Sequence, residues 1–399
     1  MHLEVVWVYN CFLTFRRVNV INNSELQTSN NSVLLASKDT VVLNNTELKV
    51  ATFNLFNYLE PPNAFYEFER IYTAQQWAKK QRWISDYLNQ QQPDVIGFQE
   101  VFSIDPLKAL MHKQGYAYFA VIDEPEVIDD FIYKRPVVAI ASRFPITEVG
   151  VVRHDNELAQ TLGLAADFSF SRKVLRATVD LPHIGNTDCY VVHFKSKRSM
   201  IEVEEPNQLA PEQNIIEHLK ATLAGGWGST IQRGTEATLL MVEMIARREA
   251  TQNPMLLMGD FNNNLADGVL SHLLTDSLRF APAFDCRAYL AKYCLSDAWD
   301  LYIRSLVNTG VAKEVSDNIE PEPHPSKKPH RVPTHYYGAS SSVLDYILLS
   351  CEFDASFHDS FYEVSNYHTY DRHLINPDFE RDDQSTDHAV VMATLTLRA

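Results

Sequence analysis

The chain is punctuated by short apolar runs that stop abruptly on polar residues. Met255-Leu256-Leu257-Met258 is apolar without a break, and Gly259-Asp260-Phe261-Asn262 follows at once. A run this short, with no alternation, reads as a strand buried on both faces. Glycine lets the backbone turn, so Asp260 and Asn262 emerge at the strand end. The same construction recurs. Leu48 to Phe53 closes on Asn54, and Asp94 to Gln99 closes on Glu100. Asp188 to Phe194 delivers His193, and Val343 to Leu349 carries Asp345 inside it. Ser385-Thr386-Asp387-His388 leads into a last strand from Ala389 to Leu397.

Between these runs the period changes. Phe68, Ile71, Ala74, Trp77, Ala78, Ile84 and Leu88 recur at helical steps, and Pro93 marks the stop. Residues 104–114 and 231–250 also read as helix. Tyr116 to Ile122, Val137 to Ser142 and Lys173 to Leu181 read as further strands, the last joined to the next by a short turn at residues 182–187. Strands interleaved with helices, some of them adjacent across short turns, predict an α/β chain with mixed sheets.

Residues 199–230 form a long polar insert, with a short helix near Ile215 to Leu223 and a hinge at Gly225-Gly226-Trp227-Gly228. Beside a strand that delivers a histidine, such an insert is expected to act as a lid or substrate-selecting loop. Residues 314–334 read as a proline-rich surface loop, and residues 366–373 as a loop that carries two surface histidines, His368 and His373. The first 45 residues read as an N-terminal extension, with an edge strand possible between Ser32 and Leu43. Residues 1–20 place Arg16-Arg17 after the apolar run, the wrong order for a secretory signal. No run approaches the length of a membrane span, so the expectation is a soluble, cytoplasmic protein.

The five cysteines are scattered, with no Cys-x-x-Cys pair. They read as buried or free thiols, although Cys286 and Cys294 are close enough to pair across a short loop. With 35 basic and 51 acidic residues the net charge is −16. That argues against attachment to nucleic acid by a broad basic face. It leaves room for a cleft whose field is set by a metal and a few local cations.

Taken singly, each strand-end residue has an ordinary explanation in a turn or a surface. Their chemistry is nevertheless complementary. Asp260 can hold or deprotonate a water, with Asn262 beside it to donate and accept. Glu100 offers the oxygen ligand that hard cations favour. Lys195, Lys197 and Arg198 follow His193 and suggest an anion-binding mouth. Asp345 sits within an apolar strand and needs a partner.

The ordered set Thr-Phe-Asn54, Gly-Phe-Gln-Glu100, Val-His193, Gly-Asp260-Phe-Asn262, Leu-Asp345-Tyr-Ile and Ser-Thr-Asp387-His388 resembles the endonuclease/exonuclease/phosphatase family, over about residues 47–398. The His193-Phe194-Lys195-Ser196-Lys197 and Ser385-Thr386-Asp387-His388 phrases look most like bacterial nuclease-type members. The resemblance implies a four-layer sandwich of two mixed β-sheets flanked by helices, formed by residues 46–399. It implies metal-dependent hydrolysis of a phosphodiester, with DNA or RNA as the expected partner. Glu100 would be the principal Mg²⁺ or Mn²⁺ ligand, with Asn54 and Asp387 near the metal and phosphate. Asp260, assisted by Asn262, would activate the water. Asp345 would orient His388, and His388 with His193 would stabilise the phosphoryl oxygens. Arg172, Arg176 and Lys195 are further candidates for phosphate contact. Family members are often secreted, which stands as the alternative to a cytoplasmic location.

Two departures narrow the resemblance. Deoxyribonuclease-like members pair the middle histidine with a glutamate, but Tyr133-Lys134-Arg135-Pro136-Val137 offers Arg135 in that region. Inositol polyphosphate phosphatases carry Trp-Cys-Asp-Arg around the strand aspartate, where this chain has Val343-Leu344-Asp345-Tyr346. Phospholipid hydrolysis, as by sphingomyelinases, remains the alternative activity. A non-catalytic binding module on the same fold is a third reading.

Overall fold

A computed structural model describes residues 46–202, 211–274, 287–308 and 330–398. Two six-stranded sheets dominate. The first runs β16-β17-β1-β3-β7-β4 and the second β12-β15-β11-β10-β9-β8. In the first, β1 is Glu47–Tyr58, β3 Val95–Val101, β4 Tyr118–Val121, β7 Val137–Ser142, β16 Tyr362–Tyr370 and β17 Val390–Leu397. In the second, β8 is Ile146–Val151, β9 Leu175–Leu181, β10 Gly185–His193, β11 Met255–Asp260, β12 Ser296–Asp297 and β15 Asp345–Leu349. A small sheet joins β2 (Ala64–Phe65), β5 (Glu126–Ile128) and β6 (Ile132–Lys134), and β13 (His335–Tyr337) pairs with β14 (Ser340–Ser342).

Each large sheet is mixed in the same way. One central pair is parallel, β1 with β3 and β10 with β11, and the remaining pairs are antiparallel. A parallel pair needs a long crossover. Helix α1 (Ala74–Gln91) supplies the first and a 41-residue helix, Pro211–Thr251, the second.

Side-chain alternation builds the layers. In β1, Leu48 and Val50 face the second sheet, while Ala51, Phe53 and Leu55 face α1. In β10, Cys189 and Val191 face the first sheet, while Tyr190 and Val192 face the long crossover helix. Three apolar interfaces result: helix on sheet, sheet on sheet and sheet on helix. That is the four-layer sandwich. Trp77, Trp83, Ile84, Tyr87 and Leu88 are the apolar stripe of α1, which begins at Ala74 behind the capping residue Thr73 rather than at Phe68.

Three expectations are corrected. Gly225, Gly226 and Gly228 are not a hinge, because helix runs unbroken from Pro211 to Thr251. A Cβ on Gly225 would lie 1.9 Å from Ser199 Oγ and 2.8 Å from the Ile201 nitrogen. Glycine there admits the preceding loop against the helix. Second, His373 is 4% exposed, not a surface residue. It lies edge-on to Trp83, ring centroids 4.8 Å apart. Third, residues 366–370 are strand, not loop. Cys189 and Cys351 are free thiols. Cys286, the Ser32 to Leu43 stretch and most of residues 314–334 lie outside the described residues. No helix among the described residues is long and apolar enough to cross a membrane.

Candidate active site

The two parallel pairs end on the same rim of the sandwich. His193 is in register with Asp260, and Asp260 with Asp345, so three functional side chains form one row across β10, β11 and β15. They share the parity of Val191, Met258 and Ile347, which belong to the core between the sheets. Asn54 shares the parity of Val50 on the opposing sheet. The site is therefore the polar end of the inter-sheet core. The neighbouring parity carries Phe194, Phe261 and Tyr346, packed with centroids 5.3 and 5.2 Å apart. This aromatic row fixes the strand ends from behind.

Gly259 makes the approach of β11 possible. Its φ is +152°, and a Cβ would fall 2.0 Å from the Val192 carbonyl oxygen. No side chain fits there. Asn262 follows with φ 52°, a conformation asparagine tolerates better than most residues.

Asp260 is 1% exposed. Its Oδ1 accepts from the Asn262 backbone at 2.8 Å, and its Oδ2 from the side-chain amides of Asn262 and Asn54, both at 3.2 Å. His193 Nε2 stands 3.5 Å from the same Oδ2, and His388 Nε2 3.9 Å. Asn262 also donates to the Phe194 carbonyl at 3.1 Å, which ties β11 to β10 beyond the ladder. Burial, Asp345 and Glu100 push the Asp260 carboxyl up to about 7, although His388 and the Asn262 amide hold it down.

The two histidines are driven apart. Burial acts against charge on His388, but Asp345 and Asp260 outweigh it and hold the imidazolium well above its ordinary range. Its Nδ1 is 2.8 Å from Asp345 Oδ2. His193 has no such partner. Burial first, then Arg172 and His388, hold its pKa well below the ordinary value. Its Nδ1 makes no hydrogen bond. That agrees with the missing glutamate: Arg135 instead pairs with Glu126 at 3.0 Å.

Glu100 lies at the end of β3 with φ 59°, where the register with β7 shifts. Its Oε2 accepts from the Asn57 backbone at 2.9 Å. Burial and the Asp387 charge raise its pKa. Asp387 Oδ1 is buried with no hydrogen-bond partner. Two carboxylates whose charges bear on one another, one with an orphaned oxygen, fit a hard divalent cation, which takes oxygen ligands and neutralises both charges. Glu100 and Asp387 would hold it, with Asn54 adjacent.

Backbone anchors complete the rim. Thr386 Oγ1 donates to the Asn54 carbonyl at 2.7 Å and accepts from the His388 backbone at 3.2 Å. His373 Nε2 is 3.0 Å from the His388 carbonyl.

Of the weaker candidates, Arg172 is brought in, for its charge bears on both Glu100 and His193. Lys195 stands at the mouth beside Arg172, half-buried, its Nζ donating to the Arg198 carbonyl at 3.2 Å. Arg176 is not brought in. It lies on β9 and is held by Glu148 at 2.6 Å and Asp188 at 3.6 Å.

Three site residues escaped the sequence reading. Lys80 is 1% exposed on α1, its Nζ donating to the Ser385 carbonyl at 2.8 Å. It lies 5.6 Å from the ring centroids of both Phe56 and Tyr72. Burial pushes its ammonium down to about 8 against the pull of Asp387 and Glu100. The signal was present: Lys80 sits on the apolar stripe between Trp77 and Trp83. His335 lies against His388, the rings tilted by 52° with centroids 5.0 Å apart, and its ligating nitrogen clusters with Asp387 and His388 within 4.8 Å. Tyr66 carries the Arg198 guanidinium over its ring at 5.9 Å, and burial, with the Glu100 charge, raises its hydroxyl to about 12. Nothing in the spacing of His335 or Tyr66 marks them.

The family model described as Endonuclease/Exonuclease/phosphatase family matches residues 51–388. No curated protein sequence matches the chain. Among solved structures, the human Nocturnin catalytic domain with bound sulfate is 14% identical, with a TM-score of 0.49, covering 88% of this chain and 95% of that one. An endonuclease/exonuclease/phosphatase from Beutenbergia cavernae is 16% identical, with a TM-score of 0.43, covering 88% and 72%. D. rerio TDP2 complexed with single-strand DNA product is 14% identical, with a TM-score of 0.45, covering 88% and 100%.

Proposed function

Since the match across residues 51–388 places the chain in the endonuclease/exonuclease/phosphatase family, we propose that it is a Mg²⁺- or Mn²⁺-dependent phosphodiesterase, a nuclease acting on DNA or RNA. Residues 46–399 carry the activity. The observation that supports this most is Asp260: a buried carboxylate with a pKa near neutrality, fixed by two asparagine amides and faced by two histidines of opposite character.

The roles follow from that contrast. Asp260 accepts the proton of the attacking water, and Asn262 and Asn54 fix the carboxylate that receives it. His388, kept charged by Asp345, places positive charge against the phosphoryl oxygens as negative charge builds on them. His193, kept neutral, offers a hydrogen bond without a second cation. A cation held by Glu100 and Asp387, with Asn54 near it, would polarise the phosphoryl group. Arg172 and Lys195 attract the substrate's phosphate to the mouth.

The test is cleavage of plasmid DNA and of RNA with Mg²⁺, with EDTA, and by His388→Ala, alongside release of phosphocholine from sphingomyelin liposomes. Metal-dependent nucleic-acid cleavage lost in the variant supports the proposal. Full activity in EDTA or in His388→Ala, or turnover of liposomes alone, overturns it.

A further inference from the structure

Beside the catalytic row, the site end of the sandwich opens into a second cleft of about 690 Å³, within the range of ligand pockets. Its lining comes from the ends of β7 and β8 and from the loops that follow β4 and β8 and precede β9. Arg172 lines it and also bears on Glu100 and His193. Arg172 also donates to the carbonyl of Phe194, the residue after His193, at 3.5 Å, so the cleft borders the catalytic row.

Its walls differ in chemistry. One carries Phe170 and His154, edge to face with centroids 5.8 Å apart, and Arg153. Among the described residues, neither Arg153 nor Arg172 makes an ion pair. The opposite rim carries Asp123, Glu124 and Glu126. Lys173 and Arg135 are already neutralised there, by Asp123 at 2.6 Å and Glu126 at 3.0 Å. The loop bearing Phe170 and Arg172 is clamped from behind. Glu236 on the long crossover helix accepts from the Ser171 backbone at 2.6 Å and from the Lys195 backbone at 2.8 Å. Gln232 donates to the Ser169 carbonyl at 2.8 Å. One side chain thus locks the cleft wall to the mouth of the site.

We infer that this cleft binds the nucleotide next to the scissile phosphate in a single strand, with its base against Phe170 and His154 and its phosphate on Arg153 and Arg172. The inference rests on the nuclease reading above. Aromatic faces stack on bases of any sequence, and free guanidinium groups follow the backbone. Stacking needs a base that is not paired, so the cleft favours single strands or frayed ends.

Binding separates this inference from the activity. Anisotropy of a fluorescein-labelled hexathymidylate in EDTA reads the cleft without hydrolysis. Arg153→Glu, on an exposed side chain, should weaken binding about tenfold, and Phe170→Ala by a similar factor. Arg176→Ala should leave it unchanged. On a duplex of the same length the wild type should bind several-fold more weakly. In hydrolysis, Arg153→Glu should raise the KM for the oligonucleotide and leave turnover of bis(p-nitrophenyl) phosphate intact. Unchanged hexathymidylate binding in Arg153→Glu overturns the cleft assignment even if the chain proves a nuclease. Weakened binding by a chain that cleaves no phosphodiester keeps the cleft and overturns the nuclease.

Discussion

Asp345 Oδ2 and His388 Nδ1 lie 2.8 Å apart, both buried, 43 residues apart in sequence. Asp345 is in register with Asp260 on the neighbouring strand, so one aspartate faces both the cation and the base of the site. The contact fixes His388 with Nδ1 as donor and turns Nε2 toward Asp260. Asp345→Asn keeps the size and removes the charge that sustains the imidazolium. Turnover should fall by about two to four orders of magnitude, the range expected when the partner of a catalytic imidazole is neutralised. KM should hardly move. Steady-state kinetics on a nucleic-acid substrate, with circular dichroism to confirm folding, decide it.

The same geometry sets a pH profile. Asp260 must be ionised to take a proton, and its pKa is about 7. His388 must be charged, and its pKa is held well above its ordinary range. Activity should therefore rise with pH through about 7, plateau, and fall only in alkali. A rate already maximal at pH 5 would remove Asp260 from the role of base.

Raising a carboxyl pKa in the folded state has a stability consequence. The unfolded value is about 3.9, so between there and about 7 the folded chain binds more protons than the unfolded one. Stability attributable to this group is full below the unfolded pKa and is lost as pH rises through the folded one. The loss reaches at most about 4 kcal/mol, taking roughly three units at 1.36 kcal/mol each. Asp260→Asn should abolish activity yet raise the melting temperature at pH 8 by several degrees in EDTA. At pH 4 the gap should close. Differential scanning calorimetry at the two pH values reads this directly.

Much of the site was legible because sheets place residues by parity. A short apolar run that ends in a polar residue puts that residue at the rim of the core, so Asn54, Glu100, His193, Asp260 and Asp345 could be read from the chain. Their mutual registry could not, since which strands pair depends on long crossovers, the one from His193 to Met255 containing a 41-residue helix. Lys80 was hidden because a long aliphatic stem can follow an apolar stripe with its charge carried elsewhere, and His373 because the absence of ligand spacing around a histidine says nothing of its burial. The glycines at 225–228 looked like a hinge because a close approach from a separate loop leaves no mark in local sequence.

Glu100 and Asp387 make a prediction of their own. If they hold the cation, Glu100→Gln should weaken Mg²⁺ or Mn²⁺ binding at least tenfold by isothermal titration, with nucleic acid absent. It removes one of the two charges, while the Asn57 backbone hydrogen bond can still form. Unaltered affinity would place the cation elsewhere.

Lys80 acts on the same pair in the opposite sense. Its ammonium is buried near Glu100 and Asp387 and competes electrostatically with any cation they bind. It also tethers the Ser385 carbonyl, two residues before Asp387. Lys80→Met keeps the apolar packing against Phe56 and Tyr72 and deletes both the charge and the tether. The two losses separate in one titration of activity against Mg²⁺. Losing the charge should lower the Mg²⁺ concentration for half-activation several-fold. Losing the tether should lower the rate at saturating metal, because the segment carrying Asp387 and His388 is held less firmly. A lower saturated rate with no change in half-activation would assign Lys80 a tethering role alone.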